Sequence, residues 1–201
     1  MTLAPGNTFD PRTHTYRIDG RAVPSVTQIV RGCCGGHDAD PWYMERGTMV
    51  HEAVALMLRD DLDWDSLDSR IFGRVRAIQS FLTDHPCAVV SVERQLLDEE
   101  RMYAGTADAV LKDANGPFIA DWKGTIEPTA ELQVAGYCAA FPEFIDRAVV
   151  VECRDDGTYR CAWGARKPRT KQVFDLGRAE RVFLACLSLH GWKKQKGLVI
   201  G

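Results

Sequence analysis

The sequence predicts an α/β protein: a mixed central β-sheet flanked by helices, with a small N-terminal hairpin and short helix appended to it. Three observations carry this expectation. Runs that alternate apolar and polar residues crowd between positions 88 and 123, and stretches of helical periodicity lie before and after them. One further run, "RAVVVECRDD" (147–156), is so continuously apolar that it implies a strand covered on both faces.

Taken in order, "HTYRIDGRAVPSVTQIV" reads as a small hairpin, with Tyr16 and Ile18 alternating before the Asp19-Gly20 turn and Ser25 capping a short helix. After the glycine-rich break "GCCGGHDADP", residues 42–59 place Val50, Ala53, Val54, Met57 and Leu58 on one helical stripe. A second helix is expected from Ser66 to Asp84, stopped by Pro86. Three strands follow, at 88–97, 102–113 and 118–123, the last two joined by "DANGP", whose Asn115-Gly116 is a strong hairpin signal. Residues 129–141 form a helix rich in small residues, "TYRCAWG" pairs with the apolar strand across Asp156-Gly157, and a final helix of roughly 170–192 ends near Gly191. Residues 1–40 are therefore expected to be an appendage and 41–201 the main domain with a basic tail.

With 201 residues, 45% of them hydrophobic and 26% charged, the chain can bury a full core. It contains no run of ~18 apolar residues and no basic-then-apolar leader, so a cytoplasmic protein with no membrane partner is expected. Seven cysteines at 33, 34, 87, 138, 153, 161 and 186, without any C-x-x-C, indicate reduced thiols rather than a disulfide framework or a zinc knuckle. From Arg160 to the end there are ten Lys or Arg against two acids, a net of +8, which leaves −11 on the first 159 residues. Such segregation suits a polyanion-binding edge beside an acidic, cation-holding region; a basic tail on a solvated face gives the same count.

The chemistry concentrates in "GTADAV" and "FIADWK". Asp121 and Lys123 emerge on one face of a strand, and Asp108 sits among small and apolar residues on the strand before it. An acid there is expensive unless it is paired or holds a cation. The hairpin makes the two strands adjacent, so the two carboxylates can converge on a hard-oxygen site suited to Mg²⁺ or Mn²⁺. Lys123 would then offset the negative charge that develops on a phosphate under attack. A solvated Asp–Lys pair is the plainer reading of that motif alone.

"GTADAV", "DWK" and "ELQVAGY", at these spacings, resemble the PD-(D/E)xK nuclease superfamily in its RecB-like branch, most nearly the mitochondrial genome maintenance exonuclease and its phage and bacterial relatives. "VPSVTQIV" and "RGTMVHEAV" extend the likeness to roughly residues 14–195. The resemblance implies a restriction-endonuclease-like core and a Mg²⁺- or Mn²⁺-dependent DNase, foremost an exonuclease, working alongside recombination or replication proteins. It implies that Asp108 and Asp121 are metal-binding acids, that the Trp122 carbonyl and His51 are further ligands, and that Lys123 is the catalytic lysine. His51 shares a helical face with Gly47, Val54 and Leu58, as a satisfied core histidine would. Glu93 matches a glutamate lying near the metal or its waters; a cross-strand partner for Arg94 or Lys112 is the alternative. Gln133 and Tyr137 match a Q-x-x-x-Y signature beside the active site, and equally suit a buried tyrosine satisfied by glutamine. "DWKGT" departs from the D-x-K-T-S common in relatives, and Gly124 loosens the strand end.

Arg166, Lys167, Arg169, Lys171, Lys193, Lys194 and Lys196 are the expected phosphate contacts on single-stranded DNA or duplex ends. An iron–sulfur cluster is not expected, because the clustered late cysteines it needs are missing: only Cys186 follows Cys161. Two alternatives stay open: an endonuclease with the same site, and a nucleic-acid-binding module that has kept the fold without the chemistry.

Overall fold

The computed structural model describes residues 6–35, 40–168, 170 and 173–198. Its centre is a six-stranded mixed sheet of β4 (Ala88–Asp98), β5 (Tyr103–Asp113), β6 (Gly116–Lys123), β7 (Arg147–Cys153), β8 (Tyr159–Ala165) and β9 (Phe174–Asp175), in that spatial order. Strands β4 to β6 form an antiparallel meander. β7 pairs parallel to β6 after a crossover through α4 (Thr129–Ala140), β8 returns antiparallel, and β9 adds a short parallel edge.

Alternating residues sort into two cores. Leu111, Phe118, Ala120, Trp122, Val149 and Val151 pack under α2 (Pro41–Met57) and α3 (Ser69–Asp84). Val110, Ile119, Ala148 and Val150 pack under α1 (Val26–Cys34), α4 and α5 (Leu176–Gln195). This is why β7 reads as unbroken apolar sequence: it lies between β6 and β8 with helices on both sides.

The N-terminal segment forms a three-stranded sheet, β1 (Thr8–Asp10), β2 (Thr15–Ile18) and β3 (Arg21–Val23), one strand more than the expected hairpin. It rests on the start of β5: Ala104 joins its small apolar cluster, and the Tyr16 hydroxyl meets Thr106 Oγ1 at 2.7 Å. Ser25 then opens α1 through a reciprocal capping box with Gln28.

Three boundaries differ from expectation. α3 starts at Ser69, because Asp68 rather than Ser66 caps it and residues 64–66 form a separate 3₁₀ turn. α5 starts at Leu176, after Phe174–Asp175 have paired with Gly164–Ala165, and Asp175 caps it. It also runs through Gly191 to Gln195, since nothing at Gly191 requires the helix to stop and a side chain there would meet open space. No helix among the described residues is long and apolar enough to cross a membrane.

Candidate active site

β5 and β6 stay paired as far as Ala109–Ala120 and then part. The next residues on either side are Asp108 and Asp121. On the other flank, Glu93 lies between the pairs Val92–Ala109 and Arg94–Ala107, opposite Asp108. Glu93, Asp108 and Asp121 thus form one transverse row across three neighbouring strands.

The row departs from regular β geometry in three ways. Glu93 has φ 51°, in the left-handed region that non-glycine residues seldom occupy. Ala107 and Ala109, two apart and nominally on one face, belong to different cores, so the alternation breaks at Asp108. Where the strands separate, Asp108 Oδ2 accepts the Trp122 backbone N–H at 2.7 Å, in place of a ladder bond.

His51 enters from α2, its Nδ1 3.2 Å from Asp108 Oδ1. One ligand atom each from His51, Glu93 and Asp108 lie within 4.8 Å of one another. Asp121 stands outside that trio and faces Lys123, whose Nζ is 2.8 Å from Oδ2. Asp121 is only 1% exposed, and Lys123 is the partner of its carboxylate among the described residues.

Protonation follows from this arrangement. The Asp108 carboxylate raises His51 to about 9, against the pull of burial. Burial works to raise Asp108 itself, but the charge and hydrogen bond of His51, with Lys123 and the Trp122 N–H, outweigh it and hold the carboxyl below its usual range. Burial pushes Asp121 up to about 6, despite Lys123. Glu93 keeps solvent on one side, yet crowding of its carboxyl end and then repulsion from Asp108 raise it to about 7. For Lys123, burial would lower the ammonium, and the two aspartates more than reverse this.

A cleft of about 460 Å³ opens beside His51 and Lys123. Tyr43, Arg46, Arg74 and Thr125 line it. Arg46 lies over the Tyr43 ring at 4.9 Å and reaches Asp155 Oδ2 at 3.7 Å, whereas Arg74 is buried and bound more closely to Asp155, through Nε at 2.6 Å and Nη2 at 3.0 Å, and to the Cys153 carbonyl. A side chain at Gly124 would come within 3.1 Å of Arg74 Nη1, which gives the unexpected glycine after Lys123 a packing reason. These two arginines were not expected from the sequence. Arg74 carried a signal, a cation three residues from Ile71 on the apolar stripe of α3; Arg46 carried none.

Gln133 Nε2 donates to the Tyr137 hydroxyl at 2.8 Å and reaches Thr27 Oγ1 at 3.5 Å. Tyr137 is nearly buried, and burial, then the charges of Asp121 and Asp108, hold its hydroxyl protonated. The Trp122 indole is buried against Phe81 and is not free to stack on a base; Tyr43 is 56% exposed. Of the basic residues, Arg166 is tied to Glu180 at 2.5 Å and to the Ile145 carbonyl, and Lys193 donates to the Gly32 carbonyl at 2.7 Å. Lys167, Lys194 and Lys196 are exposed, while Arg169 and Lys171 lie outside the described residues.

The donor set can be tested for a metal on these facts. Two carboxylates and an imidazole within 4.8 Å of one another, with the buried Asp121–Lys123 pair on the next strand, make a hard-donor site that fits Mg²⁺ or Mn²⁺ rather than a soft ion.

No protein-family model and no curated protein matches the chain. Among solved structures it is similar to LHK-Exo in complex with dAMP, at 14% identity and TM-score 0.41 over 87% of this chain and 93% of that one. It is likewise similar to the alkaline exonuclease LHK-Exo from Laribacter hongkongensis, at 15% identity and TM-score 0.39 over 86% and 92%. A third, SSO0001, stands at 15% identity and TM-score 0.35 over 82% and 75%. Likeness at this level leaves the chemistry to be read from the site itself.

Proposed function

We propose that the chain is a metal-dependent DNA nuclease of the PD-(D/E)xK superfamily, in its RecB-like branch, acting as an exonuclease. The observation that supports this best is the acidic row Glu93–Asp108–Asp121, with His51 and Lys123 closing on it and Asp121 fully buried beside Lys123. A solvated Asp–Lys pair accounts for none of that burial.

Asp108, Asp121, His51 and the Trp122 carbonyl would hold the ion, with Glu93 beside them on its solvent side. A bound Mg²⁺ or Mn²⁺ would supply Lewis-acid polarisation of the phosphate and a more acidic water. Lys123 keeps its proton at neutral pH and stands next to Asp121, placed to offset charge gathering on the phosphoryl oxygens. Asp108 holds His51 in one orientation and also fixes the β6 backbone through the Trp122 N–H. The Gln133–Tyr137 pair lies close enough for both acids to hold the Tyr137 hydroxyl protonated, so it does not compete for a proton. Arg46 and Tyr43, at the mouth of the cleft, offer a cation and an aromatic face to a DNA strand. Lys167, Lys194 and Lys196, with Arg169 and Lys171, are the proposed phosphate contacts farther out.

The test is incubation of end-labelled linear and closed circular DNA with Mg²⁺, Mn²⁺ or EDTA. Metal-dependent release of nucleotides from ends, with circles intact and Asp121→Ala and Lys123→Ala inactive, is expected. Cutting of circles would instead make it an endonuclease, and no metal-dependent cleavage on any substrate would remove the enzymatic reading.

A further inference from the structure

A second convergence of donor atoms lies away from the acidic row. Cys33 and Cys34 occupy the last turn of α1, and Cys186 lies within α5, which packs on α1. Their three sulfur atoms lie within 4.8 Å of one another, although 152 residues separate Cys34 from Cys186. Cys186 is buried, Cys33 is half-buried and Cys34 is exposed.

Thiols often serve only as small apolar filler. Filler does not explain an exposed Cys34 whose sulfur is turned onto two other sulfurs. The geometry does suit a cation. Three atoms with no separation above 4.8 Å leave a point no farther than about 2.8 Å from each, and a Zn–S bond is about 2.3 Å. Side-chain adjustments of about half an ångström would close the site.

The surroundings also favour positive charge. The negative end of the α1 helix dipole attracts a cation. Lys193 Nζ, held 2.7 Å from the Gly32 carbonyl, places an ammonium next to Cys33, where it offsets the single negative charge of three thiolates around a dication. We propose that Cys33, Cys34 and Cys186 bind one thiophilic d¹⁰ cation, Zn²⁺ foremost, with solvent completing the coordination on the Cys34 side. Each thiol gives its proton to solvent as its S–Zn bond forms, and no electron is transferred. The soft sulfur donors and the hard oxygen site at Asp108 would take different metals. Its role is structural: it fastens α1, which follows the N-terminal sheet and carries Thr27 beside Gln133, to α5.

Reduced, metal-stripped full-length protein titrated with Co²⁺ is expected to develop near-ultraviolet sulfur-to-metal charge-transfer absorption, saturating at one equivalent and bleached by Zn²⁺. Cys34→Ser, at an exposed position that tolerates the change, and Cys186→Ser should each lose that absorption. Cys87→Ser, outside the cluster, should keep it, as should Asp108→Asn, which disables only the oxygen site. Zn²⁺ should protect three thiols from alkylation and raise Tm by about 5–10 °C at a hundredfold excess over Kd, with no rise in Cys34→Ser. Absence of charge-transfer absorption, its persistence in Cys34→Ser, a Cys34–Cys186 disulfide that survives reductant, or a brown protein absorbing near about 400 nm would each overturn the proposal.

Discussion

Replacing Asp121 with Asn should make the metal-free protein more stable while abolishing its activity. The carboxyl is 1% exposed, and burial raises its pKa from 3.8 to about 6 even with Lys123 2.8 Å away pulling it down. Raising a pKa by about two, at about 1.4 kcal/mol for each tenfold change, disfavours the charged form by about 3 kcal/mol at neutral pH relative to the unfolded chain. The sign follows from the direction. With the folded value above the unfolded one, the group's contribution to stability is fully present below 3.8 and is lost as pH rises through about 6. Asn mimics the protonated form at every pH. Asp121→Asn in EDTA should therefore gain about 3 kcal/mol at pH 7, or about 6–12 °C in Tm for a chain of this size, and about half of that near pH 5. Differential scanning calorimetry between about pH 4.5 and 7.5 measures the effect, and excess Mn²⁺ should close the gap by stabilising only the wild type. A variant no more stable than wild type in EDTA, or a gain equal at pH 5 and pH 7, would refute the argument that this carboxylate is held at a cost for the sake of a cation.

Three further outcomes follow from the same geometry. Lys123→Met should retain Mn²⁺ binding by calorimetry but lose about 10²–10³ in cleavage rate, because it removes charge stabilisation and leaves the acids in place. Gly105→Ala should destabilise the fold by about 1–3 kcal/mol in urea titration, since the new Cβ would sit 2.7 Å from Tyr137 Cε1 and 3.1 Å from Val26 Cγ2, with neither able to withdraw freely. Asp113, at the end of β5, is held below its ordinary value first by hydrogen bonds from Arg147, whose guanidinium also covers the Phe118 ring and reaches the Gly116 carbonyl. With the folded value depressed, its contribution is present above 3.8 and lost as pH falls through the folded value, so Asp113→Asn should be less stable than wild type at pH 7, by a margin that shrinks as acid unfolding is followed below 3.8.

What the sequence disclosed follows from which forces act locally. The Asn115-Gly116 turn, the alternation on either side of it and the apolar run of β7 are short-range or compositional signals; they placed β5 and β6 within two residues of their observed bounds and β7 at its start, though β7 ends at Cys153, three residues before the expected 156. Asp108 stood out for the same reason: an acid among small residues is an anomaly visible without a structure. Strand β1 was missed because three residues are too few to establish a period, and they are held by pairing with β2. The onset of α5 was misplaced because a tertiary contact, the pairing of Phe174–Asp175 with β8, takes residues that helical periodicity alone would absorb. The left-handed backbone of Glu93 has no mark in the sequence, since the residue type is not one that favours positive φ. The three thiols converge only because α1 packs on α5, a fact that spacing along the chain does not contain.

Apart from a bulge between Val89 and Ser91 on β4, the irregularities of the main sheet cluster. A left-handed residue at 93, a break in side-chain alternation at 108 and the parting of two strands after the Ala109–Ala120 pair all fall on one row, in a sheet whose remaining central pairings are continuous. Each carries an energetic cost that the adjoining cores must offset: strained backbone at Glu93, and lost ladder bonds between β5 and β6. Packing alone would favour regular pairing and an apolar residue in place of each acid. What the irregularity gains is geometric. The gap lets Asp108 turn to meet both the Trp122 N–H and His51, and the bend at Glu93 brings a third carboxylate to the same point. Asp121, one strand over, is left to face Lys123. The row thereby sets the His51–Glu93–Asp108 donors beside the Asp121–Lys123 ion pair, an arrangement that suits the proposed chemistry, in which an ion held by both aspartates would grip one phosphate oxygen and Lys123 would neutralise another.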